Sequence, residues 1–224
     1  MIVLLNKSKK SVLLLFLLLL LLAGGQPLRG DGQAWITNSL EFKGLSRFAI
    51  SFQHEKRYNE IIVADPYLSN IEAKLSLKIL KRTTVAFGYR REGRLNAEVV
   101  ISENRVFGDI AQVVFKGGQS EWDLRLRCEY RNFEEGAGKD HWRFRLRLRW
   151  RTRAKIGTLV LKPFMALEFF GDTKADDLNR YRGYIGVAVP LGSHATWILN
   201  YIRQGTRDKE PVDVLGTGFK LVFN

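Results

Sequence analysis

After Trp35, apolar and polar residues alternate almost one for one along this chain. A period of two places successive side chains on opposite faces, which is the repeat of a β-strand and not of a helix. The clearest run is 141–151. Trp142, Phe144, Leu146, Leu148 and Trp150 share one face; Arg143, Arg145, Arg147, Arg149 and Arg151 share the other. Residues 121–131 repeat the design, with Trp122, Leu124, Leu126, Cys128 and Tyr130 opposite Asp123, Arg125, Arg127, Glu129 and Arg131. Weaker alternation marks 36–42, 48–52, 71–80, 85–89, 111–116, 159–170, 181–189, 196–204 and 215–223, making eleven strand-like runs.

The connections between these runs alternate in length. Short ones fall at 43–46, 80–82, 116–120, 151–156 and 190–194; longer polar ones fall at 59–69, 91–104, 133–140, 171–178 and 205–211. Short turns at one end and longer loops at the other are the habit of an outer-membrane barrel. A soluble β-sandwich also alternates, so the placement of aromatics is the stronger discriminator. In both best runs the rings stand at the ends and the leucines in the middle. Eight steps of about 3.3 Å, tilted by about 40°, cover about 20 Å of bilayer, close to the apolar band between two aromatic girdles. The expected fold is therefore all-β: a transmembrane, antiparallel, up-and-down barrel of about 12 strands, with 10 as the alternative. Eleven visible runs conflict with the even count of such barrels. Either a further strand lies at 95–102 or near the N-terminus, or one run is not a membrane strand.

The first two dozen residues follow a different rule. A basic stretch over 1–10 precedes a nearly pure leucine core at 12–22, followed by Ala23-Gly24-Gly25. That core is too short for a spanning helix of about 20 residues, and it fits a signal peptide over 1–25 ahead of a barrel over 26–224. The expected location is the outer membrane of a Gram-negative bacterium, after export. Export makes nucleic acid an unsuitable partner, although the charge of +13 falls only to +10 when Lys7, Lys9 and Lys10 are removed. Such an excess favours anionic partners: outer-membrane lipids, lipopolysaccharide and small anionic solutes, with the barrel-assembly machinery engaged during biogenesis. The C-terminal Gly218, Leu221 and Phe223 fit an assembly signal, except that Asn224 follows the aromatic. Cys128 is the sole cysteine, so no intramolecular disulfide can form.

An apolar face against lipid turns the arginines inward, because a lipid-facing Arg near the midplane costs about 2–4 kcal/mol. Pairing Tyr130 with Trp142 also pairs Trp122 with Trp150. On the inner face it sets Glu129 opposite Arg143 and Asp123 opposite Arg149. Arg125 and Arg127 then face Arg147 and Arg145, four cations that require acids from another wall or bound anions. Glu168 is a candidate acid, expected near His141 or Arg143, while Arg180, Arg182 and Lys162 add positive charge. Two readings stay open: an Arg–Glu network that plugs a narrow lumen, and an anion-favouring channel or binder.

Catalytic and metal motifs are poor. His54, His141 and His194 lie on separate segments without ligand spacing, and Ser193-His194 has no acid placed to orient it. No cofactor is implied. A lipid-modifying enzyme with a rim site at His141, Glu168 and a serine, and a purely structural envelope barrel, are the alternatives.

Several short motifs, in order, resemble one known group. They are Trp35; Gln53-His54-Glu55-Lys56-Arg57-Tyr58; Gly88-Tyr89-Arg90; Asn104-Arg105; Arg125-Leu126-Arg127-Cys128-Glu129-Tyr130-Arg131; Trp142-Arg143-Phe144-Arg145; Lys162-Pro163-Phe164 leading to Glu168-Phe169-Phe170; and Asn179-Arg180 with Gly183. Together they resemble the bacterial barrel family catalogued as a domain of unknown function, number twenty-four ninety, over 35–223. The resemblance implies an outer-membrane barrel without an assigned substrate or activity. Cys128 stands where an aliphatic residue is expected, and 91–106 matches least well.

Overall fold

The computed structural model describes residues 32–44, 47–59, 65–96, 99–134, 138–174 and 177–224. The signal peptide expected over 1–25 lies outside the described residues. Twelve strands form: β1 (Gln33–Lys43), β2 (Phe48–Tyr58), β3 (Leu68–Leu80), β4 (Thr83–Asn96), β5 (Val99–Gly117), β6 (Ser120–Phe133), β7 (His141–Arg151), β8 (Ala154–Ile156), β9 (Leu159–Asp172), β10 (Asp177–Leu191), β11 (Ala195–Thr206) and β12 (Lys209–Phe223). Each alternating run of the sequence lies inside one of them. Neighbours in sequence pair in antiparallel fashion around the wall, and β1 closes it against β12.

The wall itself has eleven strands. The twelfth, β8, is the far end of β7: Arg151 pairs with Phe164 and Ala154 with Leu161, which is one continuous register on β9. The ladder lapses between them because Pro163 has no N–H to return. The Thr152 amide donates to the Pro163 carbonyl at 3.0 Å, without a reciprocal bond. Among the described residues of 95–102 no separate strand forms. There β4 and β5 run on beyond their apolar middles, with Leu95 opposite Val100, so the long loop expected over 91–104 is mostly strand.

An odd number of up-and-down strands leaves the first and last running the same way. β1 and β12 accordingly pair in parallel, from Gln33–Val214 to Phe42–Phe223. Parallel pairs are slightly weaker per residue, and this seam approaches closely. A Cβ on Gly218 would stand 2.6 Å from the Thr37 carbonyl oxygen on β1.

The two faces invert the usual globular order. Leu75, Phe87, Ile110, Leu126, Phe144 and Leu167 are exposed on the outside. Among the described residues, nineteen buried side chains are polar or charged and ten are apolar. The apolar part of the interior sits behind the seam, where Trp35, Ile202 and Val214 pack with Tyr184 and Val212. Outside, rings meet at both strand ends: Tyr130 against Trp142 at 5.1 Å, and Phe42 stacked on Phe223 at 5.2 Å.

Gly218→Ala forces backbone to move at the seam and is expected to cost about 1–3 kcal/mol, the range for overpacking. Gly108→Ala, whose nearest neighbour would be 3.8 Å away, is expected to change stability by less than half of that. Denaturant midpoints of the two variants measure both.

Candidate functional site

The inner faces of β6 and β7 adopt the pairing that the alternating runs imply. Tyr130 stands opposite Trp142, Trp122 opposite Trp150, Asp123 opposite Arg149 and Glu129 opposite Arg143. Side chains as long as arginine do not stop at their register neighbour, however. Asp123 does hold Arg149, at 2.9 Å. Glu129 instead engages Arg145 at 2.7 Å, while Arg143 turns to Asp172 at 3.3 Å, its neighbour on β9. The expected Glu129–Arg143 pair is thus replaced by two others, because a carboxylate two residues along the arginine row is as near as the one straight across.

Acids from other walls neutralise most of the four-arginine cluster. Glu168, on β9 opposite Arg147, accepts from Arg125 at 2.7 Å, Arg145 at 2.9 Å and the Tyr184 hydroxyl at 3.0 Å. Its place is therefore the centre of the cluster, and not beside His141 or Arg143 as expected. Arg127 forks onto Asp109 of β5 at 2.6 and 2.8 Å, and also reaches Glu72 of β3 at 3.4 Å. Glu72 in turn holds Arg90 at 2.6 Å. Bidentate and shared contacts of this kind satisfy buried guanidiniums best.

Three inward rings complete the network. Arg127 lies 3.7 Å over Phe107, Arg57 and Arg182 lie over Trp35, and Arg145 and Arg182 lie over Phe170. Phe107 can lie flat because its β4 neighbour is Gly88, where a Cβ would meet the ring at 2.2 Å. Phe107 and Phe170 are missing from the sequence-based set, although each shares the phase of the charged residues beside it.

At the loop end the charges form a tight layer. Glu103 binds both Arg105 and Arg131, Arg105 also reaches Glu92 at 2.9 Å, and the Arg131 guanidinium lies 3.1 Å from His141 Nε2. His141 Nδ1 faces the Lys139 carbonyl at 3.0 Å, which places the ring proton on Nδ1 and leaves Nε2 as acceptor. His141 pairs with Arg131 across the sheet, six residues before the position that faces Glu168. That is about 20 Å at the strand rise, so the His141–Glu168 rim site is not assembled. Ser193 Oγ lies 2.7 Å from His194 Nδ1 in a turn where no carboxylate contact accompanies it among the described residues. His54 meets Ser69 at 3.2 Å. Among the described residues no three His, Cys, Asp or Glu side chains are grouped to hold a metal. In the loop between β6 and β7, Asp140 accepts the Phe133 backbone amide, Asn132 and Tyr130, and these bonds hold its carboxyl below the usual carboxylate range.

Below the loop-end layer lies a cavity of about 510 Å³. Arg125, Arg127, Arg145 and Arg147 line it from β6 and β7; Thr37, Ser39, Gln53 and Asn200 line it from β1, β2 and β11, and Lys74 lines it from β3. Side-chain exposure along the arginine row rises from 10% at Arg143 and 11% at Arg145 to 22% at Arg147, 31% at Arg149 and 47% at Arg151. The cavity therefore opens toward the short turns and is closed toward the loops. Lys162, in phase with Glu168 on β9, is exposed near that open end. Arg180 and Arg182 sit on the Phe170 ring.

Removing one member of a buried ion cluster costs more than the cluster gains from it. Glu168→Gln is expected to lose about 3–5 kcal/mol in urea unfolding. Glu121→Gln at the exposed Arg151 pair is expected to lose less than about 1 kcal/mol.

A comparison with curated proteins finds no match. A family model described as "Protein of unknown function (DUF2490)" matches residues 32–214, which takes in the strands that build the inner charge network. The ordered motifs and this match agree, and the chain belongs to that family.

Proposed function

We propose that the protein is an integral outer-membrane barrel whose lumen is a one-sided chamber for small anions, not a through-pore. The observation that carries the reading is the cavity of about 510 Å³ with more cation than acid in its lining. The acids that reach it are already engaged: Glu168 by Arg125 and Arg145, Glu72 by Arg90 and Arg127, Glu55 by Arg57, and Glu41 by Lys220. Arg147 approaches an acid no closer than 3.9 Å, at Asp123. Lys74 makes no hydrogen bond or ion pair among the described residues. Rings of uncompensated Arg and Lys inside a low-dielectric wall attract anions.

The apolar outer face and its aromatic ends support immersion in lipid, since a soluble protein does not expose so continuous an apolar surface. In barrels of this kind the short turns face the periplasm. With that orientation the chamber opens to the periplasm, and the Glu103 layer seals it from the outside. The leader expected over 1–25 supports the export that this placement requires.

The test is thermal unfolding in detergent with sodium phosphate against sodium chloride at matched ionic strength. Phosphate at a hundredfold excess over its dissociation constant is expected to add about 2.7 kcal/mol, and Arg147→Gln is expected to remove most of that gain. In planar bilayers the wild-type protein is expected to show no stable open steps. Long-lived channel openings, or equal stabilisation by both salts, would overturn the reading.

A further inference from the structure

The two sides of the chamber differ in chemistry, and the difference points to a ligand with two parts. Cations reach the chamber from three separate strands: Lys74 of β3, Arg125 of β6 and Arg147 of β7. Arg125 gives one N–H to Glu168, but its Nε is buried without a partner, as are the Nε atoms of Arg143, Arg145 and Arg147 along the neighbouring row. Burying a donor without an acceptor is costly, so these atoms mark places where an acceptor is missing. A carboxylate is satisfied by a single guanidinium fork. Cations that line one cavity from three strands suit the several oxygens of a tetrahedral phosphate better.

The facing side carries neutral donors and acceptors, and its charges there are already paired, Glu41 with Lys220 and Glu55 with Arg57. Ser39 of β1 pairs in register with Gln53 of β2, and Asn200 of β11 lies over Gly216 of β12. None of these three side chains makes a side-chain hydrogen bond among the described residues, although all three line the cavity. Gly216 keeps this side open: a Cβ there would stand 2.4 Å from the Asn200 amide oxygen. A bare phosphate occupies a small part of about 510 Å³, a volume in the range of pockets that take whole small molecules. Uncharged hydroxyls are the groups that Ser, Gln and Asn side chains recognise.

We propose that the chamber binds a phosphorylated polyol of the sugar-phosphate class. Its phosphate lies on Lys74, Arg125 and Arg147, and its hydroxyls lie on Ser39, Gln53 and Asn200. This assignment rests on the anion-chamber reading above and names its ligand class. The open end is the route of entry, so the ligand comes from the short-turn side. No bond is made or broken in the chamber.

Isothermal titration of the detergent-folded full chain with three probes tests it: inorganic phosphate, glucose 6-phosphate and glucose. Glucose 6-phosphate is expected to bind at least about tenfold more tightly than inorganic phosphate, the gain of one or two net hydrogen bonds. Glucose alone is expected to give no measurable heat. Gln53→Leu with Asn200→Leu is expected to reduce glucose 6-phosphate to the affinity of inorganic phosphate while leaving the latter unchanged. Lys74→Gln, which breaks no ion pair and so leaves the folded network intact, is expected to weaken both phosphate probes by about tenfold. Equal affinity for the two phosphates, unaltered by the Leu substitutions, would overturn the two-part ligand and leave the anion chamber standing. No binding of either phosphate to folded wild-type protein would overturn the chamber as well.

Discussion

A guanidinium enclosed by a sheet cannot be left alone, because the desolvation of an unpaired charge inside a low-dielectric wall exceeds what any other contact there returns. The interior of this barrel is organised around that constraint. Arginines contributed by β6 and β7 exceed the acids those two strands carry, so acids arrive from elsewhere: Asp109 from β5, Glu72 from β3, Glu168 and Asp172 from β9. Trp35, Phe107 and Phe170 supply flat faces where acids run out. Some of these contacts, Arg127–Glu72, Arg125–Glu168 and Arg182–Trp35, tie strands that are not hydrogen-bonded neighbours, so the network also braces the wall across the lumen. The apolar cluster of Trp35, Ile202 and Val214 packs behind the parallel seam.

The wall was more legible in the sequence than its contents. Alternation located every strand of the wall, and the paired aromatics at both ends of two leucine-centred runs were enough to set the β6–β7 register. They succeed because they are rigid, outward and confined to one level. Inner side chains escape the same logic. Arg127 spans from β6 to Glu72 on β3, 55 positions earlier, and nothing in a strand's own pattern states which acid a four-bond arm will choose. Phase alone could have found Phe107 and Phe170, which stand in the rows of Arg105 and Glu168, but an isolated ring in a charged row carries no inward signal of its own. The β4–β5 extension was hidden for a related reason. Glu92, Glu103 and Arg105 are buried there, so the run lacks the apolar stripe that marks a strand elsewhere. The parallel seam follows from the odd count of eleven wall strands, a count visible as alternating runs.

The graded exposure of the arginine row connects this architecture to function. A lumen packed equally along its length would be a brace and nothing more. Here the packing is dense under the loops, where Glu103, Arg105, Arg131 and His141 interlock, and loose toward the short turns, where Arg147 has no close acid. The same excess of arginine that forces the network at one end therefore leaves a polar, cationic space at the other. Proteins that bind anions commonly need donors held in place before the ligand arrives, and strands locked by the layer above provide that rigidity.

The proposed placement requires the apolar face to meet lipid and the charged face to turn inward. Tryptophan quenching by brominated phosphatidylcholine reads that directly, because bromine on an acyl chain reaches only rings in contact with lipid. The chain has five tryptophans. Trp142 is exposed on the outer face, whereas Trp35 is 5% exposed beneath Arg57 and Arg182. Two single-tryptophan variants folded into brominated vesicles, one retaining Trp142 and one retaining Trp35, suffice. Strong quenching of Trp142 with Trp35 unaffected is the predicted result; equal quenching of both, or none of either, would contradict the account.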